Sequence, residues 1–381
     1  DLWENDYWTQ AGGYPNHNLQ NLSLPDTPLK KIWSTDIGQG GSDDFPLTAQ
    51  PVVFEGLVYT LDAASNVKAF DIKTGKMVWA NTVRPAKEGE DVISGGLAIS
   101  AGILYVTSGY GELLALNPKK GGIYWRQKLT APARAAPTVI GDKVYVMTLD
   151  NHLTAFDSYS GKVLWKYEGL SETAGLITAA SPAADAETVI VPLTSGELTA
   201  LRTENGSVAW TDSLSPSLQT GGVSSLPDIS GHPVIDKGAV IAISYGGKIV
   251  SIDKTTGQRI WTKDIGGAKS PWVAGNMIFF ISSNAELVAL GSDTGTLAWV
   301  KSLSAYEESK KSHNSLFWNG PVLAGNRLIV TGADKSLLEI SPTDGSLIRK
   351  LNLGFHVAVP PVVAGDVLYV VSEDGTLSAW Q

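Results

Sequence analysis

The sequence predicts an all-β fold, an eight-bladed β-propeller of four-stranded antiparallel blades. Three observations predict it: a recurring segment that ends in tryptophan, an excess of glycine, and the lack of amphipathic helical patterns. The chain has 381 residues, with 40 Gly, 19 Pro and 12 Trp against 8 Phe. Such a composition is typical of many short strands joined by tight turns. A period between about 20 and 50 residues is the usual sign of a solenoid or propeller.

The repeat is clearest in two segments, VKAFDIKTGKMVW at 67–79 and HLTAFDSYSGKVLW at 152–165. Tryptophan follows a turn glycine by four residues in each copy, and glycine supplies the positive φ of a tight hairpin. A second apolar block precedes each copy, such as PVVFEGLVYTLD from Pro51. Each unit therefore holds four strands in about 45 residues, the size of a propeller blade. Six copies end in tryptophan: Trp79, Trp125, Trp165, Trp210, Trp261 and Trp299.

Two incomplete copies bring the predicted count to eight blades. The copy at 337–349 has Arg349 where tryptophan is expected, and the last copy stops at LSAWQ (377–381), a third strand. LKKIWSTDI at 29–37 has the pattern of a fourth strand and carries the remaining tryptophan, Trp33. We expect it to pair with the last blade and close the ring, because closure removes exposed sheet edges.

The predicted organisation is an N-terminal lead-in segment, residues 1–28, followed by a single propeller domain, residues 29–381. The lead-in lacks the repeat. It is expected to lie on the surface with Trp8 tucked against a blade.

The tryptophans in register are interpreted as structural. Each would pack between neighbouring blades and bury about 150–250 Å². Strict repetition favours this role over ligand binding, since a ligand site would break the symmetry of the ring. The predicted inter-blade residues are Trp33, Trp79, Trp125, Trp165, Trp210, Trp261 and Trp299.

Composition excludes several classes of function. The 29 basic and 38 acidic residues give a net charge of −9, and no basic cluster is present, which argues against nucleic acid or anionic lipid as partners. The chain has 0 Cys, which excludes disulfides, thiolate metal sites and cysteine nucleophiles. No apolar run reaches the roughly 18 residues of a membrane span.

No catalytic, cofactor or metal site is predicted. The five histidines, among them His17 and His232, fall in different units and not at metal-ligand spacing. Sequence alone leaves open whether some of them meet at the centre of the ring. No nucleophile elbow, P-loop or EF-hand pattern occurs.

The blades resemble the tryptophan-docking repeats of pyrroloquinoline-quinone dehydrogenases, most clearly in the AxDxxTGxxxW pattern at 69–79. The eight-blade count, the length and the lack of large insertions resemble the BamB family more closely, over essentially 29–381. The stretch WTQAGGYPNHN at 8–18 is similar to the lead-in of alphaproteobacterial BamB-like proteins.

That resemblance implies a non-catalytic scaffold at the periplasmic face of the outer membrane. It would dock on the POTRA domains of BamA within the Bam complex and assist the folding and insertion of outer-membrane proteins. Nascent outer-membrane strands are a further partner, through pairing with an outer blade strand. Family members are tethered through an acylated cysteine, which is absent from this chain. We expect a monomer when the protein is alone.

The resemblance also implies docking loops. TAGLITAAS at 173–181 aligns with the family's leucine-containing docking loop, and Leu176 falls on a docking leucine. Ala174 and Ile177 stand where the enterobacterial pattern has Leu and Arg. The candidate partner-binding residues in this loop are therefore Ala174, Leu176 and Ile177.

A second aligned loop is LPDISG at 226–231, where Asp228 keeps the first acid of a docking pair and Ser230 replaces the second. Together with Leu176 and Ile177, a nearby carboxylate would suit an interface with an apolar centre and a charged rim. The segment 304–317, with Trp318 just beyond it, is another candidate contact.

Two alternatives belong to other classes of function. A quinone-dependent oxidoreductase would need a metal held by clustered carboxylates and an aspartate base, yet the acids here are scattered singly through turns. A propeller that binds a small ligand or polysaccharide is suggested by aromatics outside the tryptophan register. These are Tyr110, Trp272 and Trp318.

Overall fold

The computed structural model describes residues 2–170, 179–215, 228–303, 318–332 and 334–381. These residues form eight four-stranded antiparallel sheets, and no helix occurs among them. The predicted eight-bladed β-propeller is therefore confirmed. None of the described segments is a helix long and apolar enough to cross a bilayer.

Strand order within a blade follows the chain, from the first strand to the fourth. Blade 1 consists of β2 (Val52–Phe54), β3 (Leu57–Leu61), β4 (Asn66–Asp71) and β5 (Met77–Thr82). Blade 2 consists of β6 (Leu97–Ser100), β7 (Ile103–Ser108), β8 (Glu112–Leu116) and β9 (Ile123–Lys128). Blades 3 and 4 consist of β10 (Thr138–Ile140), β11 (Lys143–Met147), β12 (His152–Asp157), β13 (Val163–Glu168), and β14 (Ala183–Ala184), β15 (Thr188–Pro192), β16 (Glu197–Arg202), β17 (Val208–Ser213).

The remaining blades have the same plan, except that the last one takes its fourth strand from the N-terminal part of the chain. Blades 5 and 6 consist of β18 (Val234–Asp236), β19 (Ala239–Ile243), β20 (Ile249–Asp253), β21 (Arg259–Lys263), and β22 (Trp272–Ala274), β23 (Met277–Ile281), β24 (Glu286–Gly291), β25 (Leu297–Ser302). Blade 7 consists of β26 (Trp318–Ala324), β27 (Arg327–Gly332), β28 (Ser336–Ile340) and β29 (Leu347–Asn352). Blade 8 consists of β30 (Val362–Ala364), β31 (Val367–Val371), β32 (Thr376–Trp380) and, as its fourth strand, β1 (Lys31–Asp36).

The first strands line the axis of the ring, because from blade 1 to blade 6 each contacts the first strand of the next blade. The second and third strands are buried on both faces between neighbouring blades, which explains apolar runs such as MIFFI in β23. Fourth strands alternate between exposed and half-buried residues, as in β9 and β13. The core therefore consists of separate apolar layers between blades rather than one central mass.

The ring closes without a covalent link. β1 pairs antiparallel with β32, from Lys31 opposite Trp380 to Asp36 opposite Thr376. Lys30 and Gln381 then exchange two backbone hydrogen bonds of 2.9 and 3.0 Å. The predicted pairing of 29–37 with the last blade is confirmed.

Seven of the eight blade junctions share one contact, in which the tryptophan of one blade lies on the turn glycine of the next. A Cβ added to Gly121 would lie 2.3 Å from Cε3 of Trp79, so only glycine allows the indole ring to lie this close to the turn. The indole of Trp79 also donates a 2.7 Å hydrogen bond to the carbonyl of Pro118 in the same turn. The pairs are Trp33–Gly75, Trp79–Gly121, Trp125–Gly161, Trp165–Gly206, Trp210–Gly257, Trp261–Gly295 and Trp299–Gly345.

The junction between blades 7 and 8 differs, and the difference explains Arg349. The fourth strand of blade 8 comes from the other end of the chain, so no tight turn with a glycine links it to β32. A tryptophan in blade 7 would have no such turn to pack on. Arg349 instead bonds Glu339, which is 3% exposed and also lies 3.1 Å from Arg327 Nε. Asp26 of the lead-in completes this network at 3.3 Å from Arg349.

The lead-in makes one circuit around an end of the central channel. Its backbone bonds the first strands of successive blades, beginning with Asn5 on blade 8 and Trp8 on blade 1. Where the circuit ends, Trp3 exchanges two backbone hydrogen bonds with Asn21 and Ser23. Further anchors are Thr9 to Ile99, Gln10 to Val139, Pro15 to Ala184, Asn16 to Ile235, Gln20 to Trp272 and Leu22 to Leu323.

Trp8 is 1% exposed, so the expected contact of this residue with a blade is found. The lead-in is more than the surface segment that the sequence predicted, however. Residues 2–24 contact all eight blades and cover the channel end, with the result that the lead-in is part of the structure of the ring.

Candidate functional site

A cavity of about 140 Å³ lies on the axis of the ring. The lead-in forms its floor through Trp8, Gly12 and His17. Its wall consists of residues just ahead of the first strands, where the connections from the outer strands reach the channel, and of residues within some of these strands. The mouth therefore faces the end of the propeller that carries these connections.

Hydroxyl side chains hold the wall together across blade junctions. Ser181 Oγ, ahead of blade 4, donates to the carbonyl of Ala136 at 2.9 Å, and Ser230 Oγ, ahead of blade 5, donates to Ala268 at 3.0 Å. Thr138 Oγ1 donates to Pro182 at 2.6 Å. Since these groups already have partners within the wall, they fix its shape.

The lead-in brings two histidines together in the cavity, His17 and His232, whose ring centroids are 5.0 Å apart. His17 Nδ1 lies 2.7 Å from the carbonyl of Pro233, so that nitrogen must carry the hydrogen and Nε2 is left as an acceptor. His232 Nδ1 accepts from the backbone N–H of Ser181 at 2.9 Å. Burial lowers the pKa of His17 to about 4 and that of His232 to about 3, so both are neutral at pH 7.

Two cations also line the cavity, Arg134 ahead of blade 3 and Lys269 ahead of blade 6. Burial lowers the pKa of Lys269 to about 8, and its Nζ donates to the amide oxygen of Asn319 at 3.2 Å. Arg134 has no hydrogen bond or ion pair with the part of the chain that the structure describes. No Asp or Glu is found among the described residues of the cavity wall.

The predicted docking residues are placed only in part. Ala174, Leu176 and Ile177 lie outside the described residues. Asp228 and Ser230 are 2% and 6% exposed, with Tyr245 donating a 3.0 Å backbone hydrogen bond to the carbonyl of Asp228. A charged rim needs exposed side chains, whereas both residues are buried and Ser230 lines the wall of the cavity.

The other candidate contacts, which are the loop 304–317 and the three aromatic residues outside the tryptophan register, are also placed only in part. Residues 304–317 lie outside the described residues, and Trp318 is 1% exposed in the core between blades 6 and 7. Trp272 lines the cavity 6.5 Å from Trp8, while Tyr110 lies away from it, with the guanidinium of Arg84 5.8 Å from the centre of its ring. Only Trp272 of the three extra aromatics faces the central cavity.

These features define the class of protein. It is an eight-bladed propeller whose blades are docked by tryptophan on glycine, closed non-covalently between its first and last strands. Its axial cavity contains neutral histidines and two cations. No group of three or more His, Asp or Glu able to hold a metal ion occurs among the described residues.

The chain belongs to the BamB family, because the sequence profile described as "Outer membrane protein assembly factor BamB" matches residues 63–301 and 292–381. A relative from Yersinia pestis with that same name is 27% identical over 358 residues, which cover 92% of this chain and 88% of the relative. The crystal structure of BamB from Moraxella catarrhalis has a TM-score of 0.79 at 23% identity, covering 93% of this chain and 100% of that one.

Similar folds also occur in enzymes. A europium-containing methanol dehydrogenase has a TM-score of 0.75 at 14% identity and covers 96% of this chain and 89% of its own, a likeness of fold alone. A hard cation beside a quinone needs several carboxylate or amide oxygens. The described wall offers no carboxylate, and its two histidines are neutral nitrogen ligands rather than the oxygen ligands that a hard cation prefers, so these residues do not fit a metal-assisted quinone site.

Proposed function

We propose that this protein is a non-catalytic scaffold subunit of the machinery that assembles outer-membrane β-barrel proteins, acting at the periplasmic face of the outer membrane. In this proposal it docks on the POTRA domains of BamA. Membership of the BamB family over nearly the whole chain is the observation that carries the proposal. The relative from Yersinia pestis is named an assembly factor, and its match covers 92% of this chain rather than one motif.

A scaffold role agrees with the chemistry of the cavity. Catalysis by a quinoprotein requires a base and a bound cation, whereas the described wall has neutral histidines and no carboxylate. The polar groups that do occur there mostly bond the wall itself, as Ser181 and Ser230 do. Such groups stabilise a rigid ring.

Docking is proposed to use the loop that contains Ala174, Leu176 and Ile177. The described residues that follow it, Ala179 and Ser181, line the cavity wall just ahead of blade 4. Asp228 and Ser230 support this face indirectly, since their burial positions the connection that leads into blade 5. A substitution of buried Asp228 would test folding rather than docking, so the test belongs at Leu176.

The outer rim offers a surface for the proposed second partner, a nascent outer-membrane strand. Each fourth strand is the edge of its sheet, and several begin with apolar residues that are more than 45% exposed. An extended strand could pair with such an edge while its side chains contact those residues. Examples are Met77 and Val78 in β5, Val163 and Leu164 in β13, and Leu297 in β25.

The experiment is a binding titration of the purified chain against the POTRA domains of BamA from the same organism. We expect saturable binding that Leu176→Asp weakens at least tenfold, because an aspartate in the apolar centre of an interface costs about 1.4 kcal/mol or more. Leu297→Asp is the matched control, since Leu297 is 54% exposed on the outer strand of blade 6. The two variants must have the same circular dichroism spectrum as the parent.

Failure of the parent chain to bind any POTRA domain would refute the scaffold proposal. Equal weakening by Leu176→Asp and Leu297→Asp would refute only the assignment of the docking loop. The lipid anchor is part of the same proposal and concerns the precursor. It is tested by metabolic labelling with palmitate and fractionation of membranes, where an unlabelled precursor would contradict it.

A further inference from the structure

We propose that the axial cavity is a binding site for a small organic anion, with a carboxylate on the cations of its wall and an apolar or aromatic body against Trp8 and Trp272. This inference goes beyond the scaffold function and does not depend on it. It concerns the isolated ring, whether or not the ring docks on another protein.

The first argument is the imbalance of charge. Lys269 and Arg134 both line the cavity, and the only partner of either among the described residues is the neutral amide of Asn319. Both side chains are half-buried, and charges withdrawn from water in folded proteins are generally paired, because an unpaired charge loses part of its hydration without compensation. With no carboxylate in the described wall, the missing partner is an anion from outside it.

The second argument is the presence of polar atoms without partners. Trp8 Nε1 and His17 Nε2 are buried and make no hydrogen bond within the described structure, and both residues line the cavity. Their exposed fractions are 1% and 7%. Buried polar atoms are almost always satisfied, so a polar ligand beside these two atoms would supply the partners that they lack.

The pattern of donors selects the chemistry. Trp8 Nε1, Lys269 and Arg134 can only donate, and neutral His232 has its remaining hydrogen on Nε2, because Nδ1 accepts from Ser181. His17 Nε2 is the one acceptor among these groups. Several donors around one acceptor fit a carboxylate attached to a group that can itself donate or stay apolar.

The size and the remaining lining select the body of the ligand. About 140 Å³ is close to the volume at which an apolar cavity takes a benzene ring. The rings of Trp8 and Trp272 lie 6.5 Å apart, and Leu97, Val234 and Val322 complete the apolar part. A planar ring with a carboxylate meets both halves of the site.

The experiment is isothermal titration calorimetry of the full chain in a low-chloride buffer, with benzoate as the probe. Benzamide serves as its neutral isostere and inorganic phosphate as an anion without an apolar body. We expect benzoate to bind one to one and benzamide at least tenfold more weakly, since charge-assisted hydrogen bonds are about twice as strong as neutral ones. Phosphate should bind more weakly than benzoate.

Two variants assign the site. Lys269→Met and Arg134→Gln should each weaken benzoate at least tenfold, while Lys166→Met, which removes an exposed lysine of blade 3, should leave it unchanged. Lys269→Met is expected to fold, because it replaces a desolvated cation with an apolar side chain. The unfolding midpoint in urea checks this, and Arg134→Gln provides the test at a half-buried position.

Three results would overturn the proposal. They are equal affinities for benzoate and benzamide, unchanged affinity in both cavity variants, and no binding of either anion up to about 10 mM. If phosphate bound as tightly as benzoate, the site would still bind an anion, but the proposed contact of an apolar body with Trp8 and Trp272 would be wrong. None of these outcomes affects binding to POTRA domains, so failure here and failure of the scaffold proposal are distinguishable.

Discussion

Replacement of a single turn glycine should measure what the docking of one tryptophan contributes to the ring. Gly121 has a φ of +72°, and a Cβ there would lie 2.3 Å from Cε3 of Trp79, which is 8% exposed. Gly121→Ala therefore adds about 1–2 kcal/mol of backbone strain and about 1–3 kcal/mol of overpacking. We expect the free energy of unfolding to fall by about 2–5 kcal/mol.

Gly102→Ala is the matched control. Gly102 has a φ of +73°, nearly the same conformation, but nothing lies within 4 Å of an added Cβ. It should cost only the backbone part, about 1–2 kcal/mol. Urea unfolding followed by circular dichroism gives both values, provided the slope of free energy against urea is unchanged.

A double variant separates the two causes further. In a Trp79→Leu background the clash is relieved, so Gly121→Ala should cost no more than Gly102→Ala does. Equal losses from the two alanines in the parent chain would refute the reasoning, because the tryptophan contact would then add nothing to the strain of the turn.

Three further predictions concern buried polar groups. Gln10→Ala should lower the free energy of unfolding by about 2 kcal/mol, because it leaves the two backbone groups that Gln10 bonds on blade 3 without partners in a buried place. Glu339→Ala should lower it by about 3–5 kcal/mol, since it strips the carboxylate from a buried ion pair. Between pH 7 and 5.5 the protein should lose about 2 kcal/mol, because the unfolded state protonates His17 and His232 near pH 6.5 while the folded state, with pKa values of about 4 and 3, does not.

Urea midpoints check each of these. The control for Glu339→Ala is Asp142→Ala, which breaks an exposed ion pair with Lys143 and should lower the free energy of unfolding by less than about 1 kcal/mol. Similar losses from the two variants would contradict the argument from burial. Stability that does not change between pH 7 and 5.5, or that changes equally in a His17→Gln, His232→Gln double variant, would contradict the assignment to these histidines.

The blades could be predicted from the sequence repeat, and so could the seam, which is the pairing of β1 with β32 that closes the ring. Glycine at a positive φ and tryptophan four residues later are local signals, and blades 1 to 6 all show them. Blade 7 keeps the glycine but has Arg349 in place of the tryptophan, because blade 8 offers no turn glycine to receive a tryptophan. A residue that departs from the repeat thus marks the junction beside the seam.

The cavity and the path of the lead-in could not be predicted. The lead-in is held largely by backbone hydrogen bonds to distant strands, such as that between Asn5 and Gly365, and backbone bonds leave no pattern of side chains. His17 and His232 meet only because the lead-in carries one to the other. The alignment of a loop likewise does not show which of its side chains are exposed, and Asp228, expected at a rim, is buried.

The non-covalent seam has a consequence for the order in which the fold can form. β1 pairs with β32, and the backbone carbonyl of Asn5 accepts from Gly365 of blade 8, so the first residues of the chain depend on nearly the last ones. Contacts of such long sequence separation slow folding, because the chain loses its entropy before it gains the contacts. As the chain emerges from synthesis or translocation, blades 1 to 7 can assemble in sequence, but the ring remains an open arc with bare strand edges. Loss of the final five residues, 377–381, would therefore do more than shorten one strand. It would leave β1 unpaired and the arc permanently open to association with other chains.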